Sequence, residues 1–164
     1  MGEMMNFNSV QGKVVIVTGA GSGIGNAIAG VYGAHGMKVV CADRDCERGQ
    51  AAADGIRTSG GEAVFVQADC GSADDIRRLV EAAVERFGRL DGIVNNAGIG
   101  MGGTPLHEYG IEDYDKIFNL NSKGVFAGMK YGAEAIFKSH SHGGFVINVA
   151  SVAGLVPQKG QALY

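Results

Sequence analysis

Five short apolar runs punctuate the chain: Lys13–Thr18, Lys38–Asp43, Ala63–Asp69, Leu90–Asn95 and Gly144–Ala150. Each is nearly continuous in Val, Ile, Phe or Ala and does not alternate apolar with polar, the pattern of parallel strands covered on both faces. The first four begin about every 25 residues, one strand–helix unit each. The fifth starts 54 residues after the fourth, leaving room for a longer loop and helix.

Between the runs the apolar spacing becomes helical. Ile76, Leu79, Val80, Ala83, Val84 and Phe87 form one stripe, with Asp74, Asp75, Arg77 and Arg78 outside it. Ser72 is placed to cap that helix, with Asp75 three residues on. Ile24, Ile28, Val31 and His35 repeat in the same way, and Gly36 stands where a helix would stop. Tyr114, Ile117, Phe118, Val125, Met129, Ala133 and Ile136 predict one longer helix running to about Ser139. No linker or low-complexity tract interrupts residues 1–164. The chain therefore reads as a single α/β domain, a doubly wound parallel sheet with right-handed crossovers.

Charge and composition narrow the partners. Among 164 residues, 14 Lys and Arg against 17 Asp and Glu leave a formal charge of −3, and the sequence pI is about 5.8. Such a balance offers no basic footprint for nucleic acid and no polybasic patch for a membrane surface. No apolar run approaches the roughly 20 residues of a membrane span, and residues 1–11 lack a cationic stretch followed by an apolar one. Asn6 stands where myristoylation needs Ser or Thr. Three cysteines without CxxC spacing fit reduced thiols; together these features lead to the expectation of a soluble, cytoplasmic protein. His107 and the thiols read as structural, and His140 with His142 as a solvated loop, so no metal site is expected.

The 28 glycines are more than twice the usual share and cluster at the ends of the apolar runs. The densest cluster follows the first run: Thr18-Gly19-Ala20-Gly21-Ser22-Gly23-Ile24-Gly25, leading straight into a helix. A helix N-terminus presents unpaired N–H groups and a partial positive charge, which suit a pyrophosphate, and glycines let the backbone approach it. The spacing is TGxxxGxG, not the GxGxxG of the commonest dinucleotide fingerprint, so an ordinary tight turn is the competing reading. Asp43, at the end of the second run, lies 18 residues after Gly25, close to the position of an acid that binds adenosine ribose hydroxyls. A carboxylate there repels a 2′-phosphate, so NAD is expected and NADP less so. Arg44 is the one neighbour that could meet such a phosphate; Asp43 could instead cap the next helix, as could Asp45. Asp69 closes the third run at the edge where open sheets bind ligands, or else caps a helix. Asn95 and Asn96 close the fourth, placed to tie strands together or to reach a cofactor.

In order and register these motifs closely resemble the short-chain dehydrogenase/reductase family. The resemblance spans Gly12–Tyr164 and rests on TGAGSGIG at 18–25, Asp43, Asp69, NNAG at 95–98, FNLNSKGVF at 118–126, and Ser151 placed 13 residues before Tyr164. It implies a Rossmann-type sheet of order 3-2-1-4-5, with the last strands of the family fold beyond this chain. It implies cofactor contacts from Gly19, Ser22, Gly23, Ile24, Gly25, Asp43, Asp69, Cys70, Asn96 and Gly98, the adenine lying near Asp69 and Cys70.

The family's catalytic set maps onto Asn121, Ser151 and Tyr164, with Asn119 competing for the first role. Hydride transfer at a carbinol carbon requires a proton to leave or join the oxygen, which a tyrosine phenol can exchange. Its ordinary pKa near 10 is too high for a base at neutral pH unless a cation favours the phenolate. In the family that cation is a Lys four residues after the Tyr, one helical turn along, and no residue follows Tyr164 in this sequence. About 250 residues are implied for the family, so this chain is expected to be an incomplete domain and, by itself, a poor catalyst. The expected reaction transfers a hydride between NAD(H) and a small secondary alcohol or ketone. The resemblance also implies homodimers or homotetramers that pack the Asn121 helix against a second copy. The alternative is a non-catalytic NAD-binding module. Gly100-Met101-Gly102-Gly103 reads as a flexible rim of the substrate pocket.

Overall fold

A computed structural model describes residues 9–100, 102–139, 143–156 and 158–164. Five parallel strands, β1 (Val14–Thr18), β2 (Lys38–Asp43), β3 (Glu62–Gln67), β4 (Gly92–Asn95) and β5 (Phe145–Asn148), form one sheet of order β3-β2-β1-β4-β5. Helices α1 (Gly23–Ala34), α2 (Cys46–Thr58), α3 (Ala73–Phe87), α4 (Ile111–Phe118) and α5 (Val125–Ser139) cover it, and a π-helical turn over Asn119–Gly124 joins α4 to α5. The expected strand order and the doubly wound α/β architecture are observed.

β1 lies in the middle because both its faces are apolar. Val14 and Ile16 pack into one layer with Val40, Leu79, Ile93 and Ile136, under α3 and α5. Val15 and Val17 pack into the other with Val39, Cys41, Ala29, Ala53 and Ile56, under α1 and α2. All four valines and isoleucines are fully buried, which is why the run shows no alternation. The outer strands are less covered: in β5, Val146 and Ile147 are 38% and 42% exposed. β3 and β5 are also shorter than the apolar runs suggest. Beyond Gln67 the N–H of Asp69 turns away to the Asp75 carboxylate, 3.0 Å, which ends the ladder.

α3 matches its expected stripe, with Ile76, Leu79, Val80 and Ala83 buried. Ser72 caps it: its Oγ accepts the Asp75 N–H and donates to Asp75 Oδ1. Gly88, at φ 77°, ends it in the left-handed conformation that only glycine adopts freely. Two other stripes are corrected. α1 buries Gly25, Ala29 and Gly33, while Ile24 and Val31 are 65% and 56% exposed. Close approach decides this face: a Cβ on Gly33 would run into Ile56 Cγ2 of α2. The Tyr114–Ile136 stripe is not one face either, since Tyr114, Phe118 and Met129 are exposed and α5 buries Ala127, Gly128, Gly132, Ala135 and Ile136. The π turn holds an extra residue, so positions on either side of it no longer share a 3.6-residue phase.

Candidate functional site

The carboxyl ends of β1, β2, β3 and β4 surround a cleft of about 570 Å³. Of the residues expected to hold a cofactor, Gly19, Ser22, Gly23, Ile24, Asp43, Asp69, Cys70, Asn96 and Gly98 all line it. Gly25 does not. It lies behind the loop, where a Cβ would collide with the Gly19 carbonyl oxygen, so its place is that of a close helix–strand contact.

The loop is shaped from β1 and β4 together. Gly19 takes φ 66°, with Ala97 Cα 3.0 Å from where its Cβ would be. Gly23 takes φ 53° and has nothing within 4 Å of a Cβ, leaving open space in front of it. Ser22 precedes α1 in extended geometry, its side chain makes no capping bond, and the first turn carries no acid. The N–H groups of that turn are therefore available to an anion. Thr18, buried beneath, organises the edge: its Oγ1 donates to the Val94 carbonyl and accepts from the N–H groups of Asn96 and Ala97 at 2.9 and 3.0 Å. In the sequence Thr18 is the first letter of the glycine motif, and a hydroxyl residue ending an otherwise apolar run is the signal available for this role.

Each acid has found a distinct partner set. Asp43 Oδ2 accepts the Gly21 N–H at 2.9 Å and Oδ1 accepts the Asp45 N–H at 3.0 Å. Asp45, not Asp43, caps α2, accepting the Arg48 N–H. Asp69 Oδ1 accepts the Gly71 N–H at 2.9 Å, a local turn, while Ser72 performs the capping. Burial pushes the Cys70 thiol up to about 12, with the charges of Asp43 and Asp69 acting in the same direction. Arg44 and Arg48 lie on the same rim; Arg48 was not anticipated.

The two adjacent amides divide the readings left open for them. Asn95 Nδ2 donates to Asn148 Oδ1 at 2.8 Å, tying β4 to β5, and Asn96 Nδ2 donates to the Thr18 carbonyl at 2.9 Å on the cleft side. Asn121 sits in the π turn and clasps the loop after β4: its Nδ2 donates to the Ile99 carbonyl and its Oδ1 accepts the Ile99 N–H, 2.8 and 3.0 Å. Asn119, by contrast, is exposed and accepts from Lys123. Ser151 and Tyr164 lie on the segment after β5, outside the lining of this cleft. Ser151 Oγ accepts the Ala153 N–H at 3.2 Å, and Tyr164 is 43% exposed. Tyr109 Oη and the Gly103 N–H both reach the Gly160 carbonyl, so the glycine rim at 102–103 is braced by the segment leading to Tyr164. Met101, His140 and His142 fall outside the described residues. Among the described residues no three His, Cys, Asp or Glu side chains converge as metal ligands, and no helix is long and apolar enough to cross a membrane.

Comparison with known proteins agrees with this geometry. An uncharacterized oxidoreductase of Thermotoga maritima is 45% identical over 152 residues, 93% of this chain and 57% of that protein. A 2,5-dichloro-2,5-cyclohexadiene-1,4-diol dehydrogenase of Sphingobium indicum is 38% identical over 92% of this chain and 58% of its own length. A Burkholderia phymatum short chain dehydrogenase/reductase solved in complex with NAD superposes with TM-score 0.89 at 36% identity, covering 94% of this chain and 54% of that one. A metagenomic short-chain oxidoreductase solved with NADP gives TM-score 0.88 at 36% identity, covering 94% and 70%. The chain thus spans less than two thirds of the length of these curated relatives. Residues 13–164 match the family model of the short chain dehydrogenases, and the chain belongs to that family.

Proposed function

We propose that this chain carries the nucleotide site and part of the catalytic machinery of an NAD-dependent oxidoreductase acting on a small secondary alcohol or its ketone. The observation that carries the reading is the Asp43 carboxylate, held at the rim of the cleft beside an uncapped helix N-terminus. The cleft fits a dinucleotide on its own terms: its volume is sufficient, Gly23 leaves open space in front of the α1 N–H groups, and polar atoms sit at both ends. When bound, NAD supplies a nicotinamide ring able to take or give hydride.

The chain's own residues then divide the remaining work. The first turn of α1 receives the pyrophosphate through backbone N–H groups. Asp43 accepts from the adenosine ribose hydroxyls and disfavours a 2′-phosphate by like charge. Asp69 and Cys70 flank the adenine end, and Asn96 and Gly98 border the opposite end of the cleft. The Tyr164 hydroxyl exchanges a proton with the substrate oxygen, the Ser151 hydroxyl holds that oxygen, and Asn121 steadies the loop between the nucleotide and the substrate. Relatives of this chain include a dehydrogenase of a cyclic diol, which supports a carbinol carbon as the reacting centre.

Titration calorimetry tests the nucleotide half: NAD binds, and NADP binds more weakly. Absorbance at the reduced nicotinamide band, with a panel of secondary alcohols, tests the chemistry. In a chain extended to the length of its relatives, Tyr164→Phe abolishes turnover while leaving NAD affinity within about twofold, an expectation for a group that acts only on the reacting proton. NAD binding without turnover on any alcohol supports the second reading, a nucleotide-binding module, which is favoured by the placement of Ser151 and Tyr164 outside the cleft lining.

A further inference from the structure

We propose that Gly21 is a positioning residue that sets the choice between NAD and NADP by holding the Asp43 carboxylate in place. The inference rests on the nucleotide site proposed above and assigns a task to a residue left without one there. Both oxygens of Asp43 are held by backbone: Oδ2 by the Gly21 N–H at 2.9 Å, Oδ1 by the Asp45 N–H at 3.0 Å. The acid is thus fixed from the glycine loop on one side and from the start of α2 on the other.

That arrangement leaves no room for a side chain at position 21. A Cβ there would lie 2.8 Å from Asp43 Oδ2, 3.1 Å from its Cγ and 2.9 Å from Arg48 Cβ. Arg48 Cβ is rooted in α2, whose first turn is anchored by the Asp45 cap, so it cannot retreat as a side-chain tip can. The carboxylate, a side-chain end, yields by rotating, whereas the Arg48 Cβ contact is relieved only by a small separation of the loop from α2. Gly21 does not occupy the left-handed region, in contrast to Gly19 and Gly23, so alanine fits the backbone and the effect is one of contact, not of strain. Once the carboxylate rotates away, its charge no longer opposes a 2′-phosphate, while Arg44 and Arg48 stay on the same rim to receive one.

Calorimetric titration of NAD and NADP against wild type, Gly21→Ala, Asp43→Asn and the double variant provides the test. Gly21→Ala lowers the ratio of NAD to NADP affinity by about tenfold or more, equivalent to about 1.4 kcal/mol. In the Asp43→Asn background the same substitution leaves the ratio unchanged, because the group it acts through has lost its charge. Equal weakening of both nucleotides by Gly21→Ala would overturn the proposal, as would the same ratio change with and without the Asp43 charge. If Gly21→Ala does not fold, Gly21→Ala combined with Arg48→Gly removes the rigid contact, retains the carboxylate one and carries the same expectation. Wild type that binds neither nucleotide overturns the nucleotide site itself; wild type that binds NAD with an unmoved ratio overturns only the part given to Gly21.

Discussion

Cys46 stands exposed in the first turn of α2, whereas Cys41 and Cys70 are buried. Burial pushes the Cys41 thiol up to about 11 and the Cys70 thiol to about 12. The thiolate is the reactive form, so iodoacetamide at neutral pH labels Cys46 and spares the other two until the protein is unfolded, as peptide mass mapping will read. Asp75 makes a second residue-scale prediction. The Asp69 N–H, the Ser72 hydroxyl and Arg78 hold its carboxyl below the usual carboxylate range. The folded state therefore binds that proton less readily than the unfolded one. The resulting stability is fully present above the ordinary carboxylate pKa and is lost as pH falls through the depressed folded value. Urea midpoints measured across that acid range fall less steeply for Asp75→Asn than for wild type. Cys41 lies in a run that reads as a strand and Cys70 directly after one, and Asp75 was legible as part of a cap. Its second bond, to Asp69, was not, because that bond depends on where β3 ends.

Helix α3 shows what local pattern conveys well. Its stripe and its Ser72 cap are short-range features, and both are found where the spacing puts them, while the Gly88 stop is added by the structure. Ser72→Ala costs about 1 kcal/mol, measurable as a shift in the denaturant midpoint with an unchanged slope. The stretch from α4 to α5 conveys the opposite lesson. Its apolar positions were in helical phase on paper, yet the π turn at Asn119–Gly124 breaks that phase. The turn presses against the loop after β3, and a Cβ on Gly124 would strike the Cys70 carbonyl oxygen. Gly124→Ala forces backbone apart and destabilises by about 1–3 kcal/mol; thermal unfolding checks this. The same displacement loosens the bonds of Asn121 to Ile99.

At the scale of the whole molecule, one buried acid gathers three strands. Asp91 is 3% exposed; its Oδ2 accepts the Val14 N–H at 2.8 Å, its N–H bonds the Val14 carbonyl, and its carbonyl accepts the Phe145 N–H. Arg89 clasps the same carboxylate at 2.6 and 2.9 Å. β1, β4 and β5 are thereby aligned at their amino ends, opposite the cleft that Thr18 organises at their carboxyl ends. Asp91→Ala leaves the buried Val14 N–H without that acceptor and costs about 1–3 kcal/mol, read as a lower urea midpoint with the slope retained. An exposed control, Asp74→Ala, stays within about 0.5 kcal/mol of wild type.

By itself the sequence determined the doubly wound sheet, the glycine loop leading into α1, the acid that closes β2 and the acid just beyond β3. Those features depend on strand runs, caps and spacings of a few residues, which act through local sterics and hydrogen bonding. Tertiary structure alone decided which face of α1 and α5 is buried, because glycines there admit a neighbouring backbone or side chain that no pattern names. It decided that Asp43 is held from Gly21, 22 residues earlier in the chain, and that Asn121 clasps Ile99. It also decided that Thr18 and Asp91 order opposite ends of the sheet. These pairings join residues brought together only when strands align, so their energy exists in the fold and not in any segment of the chain.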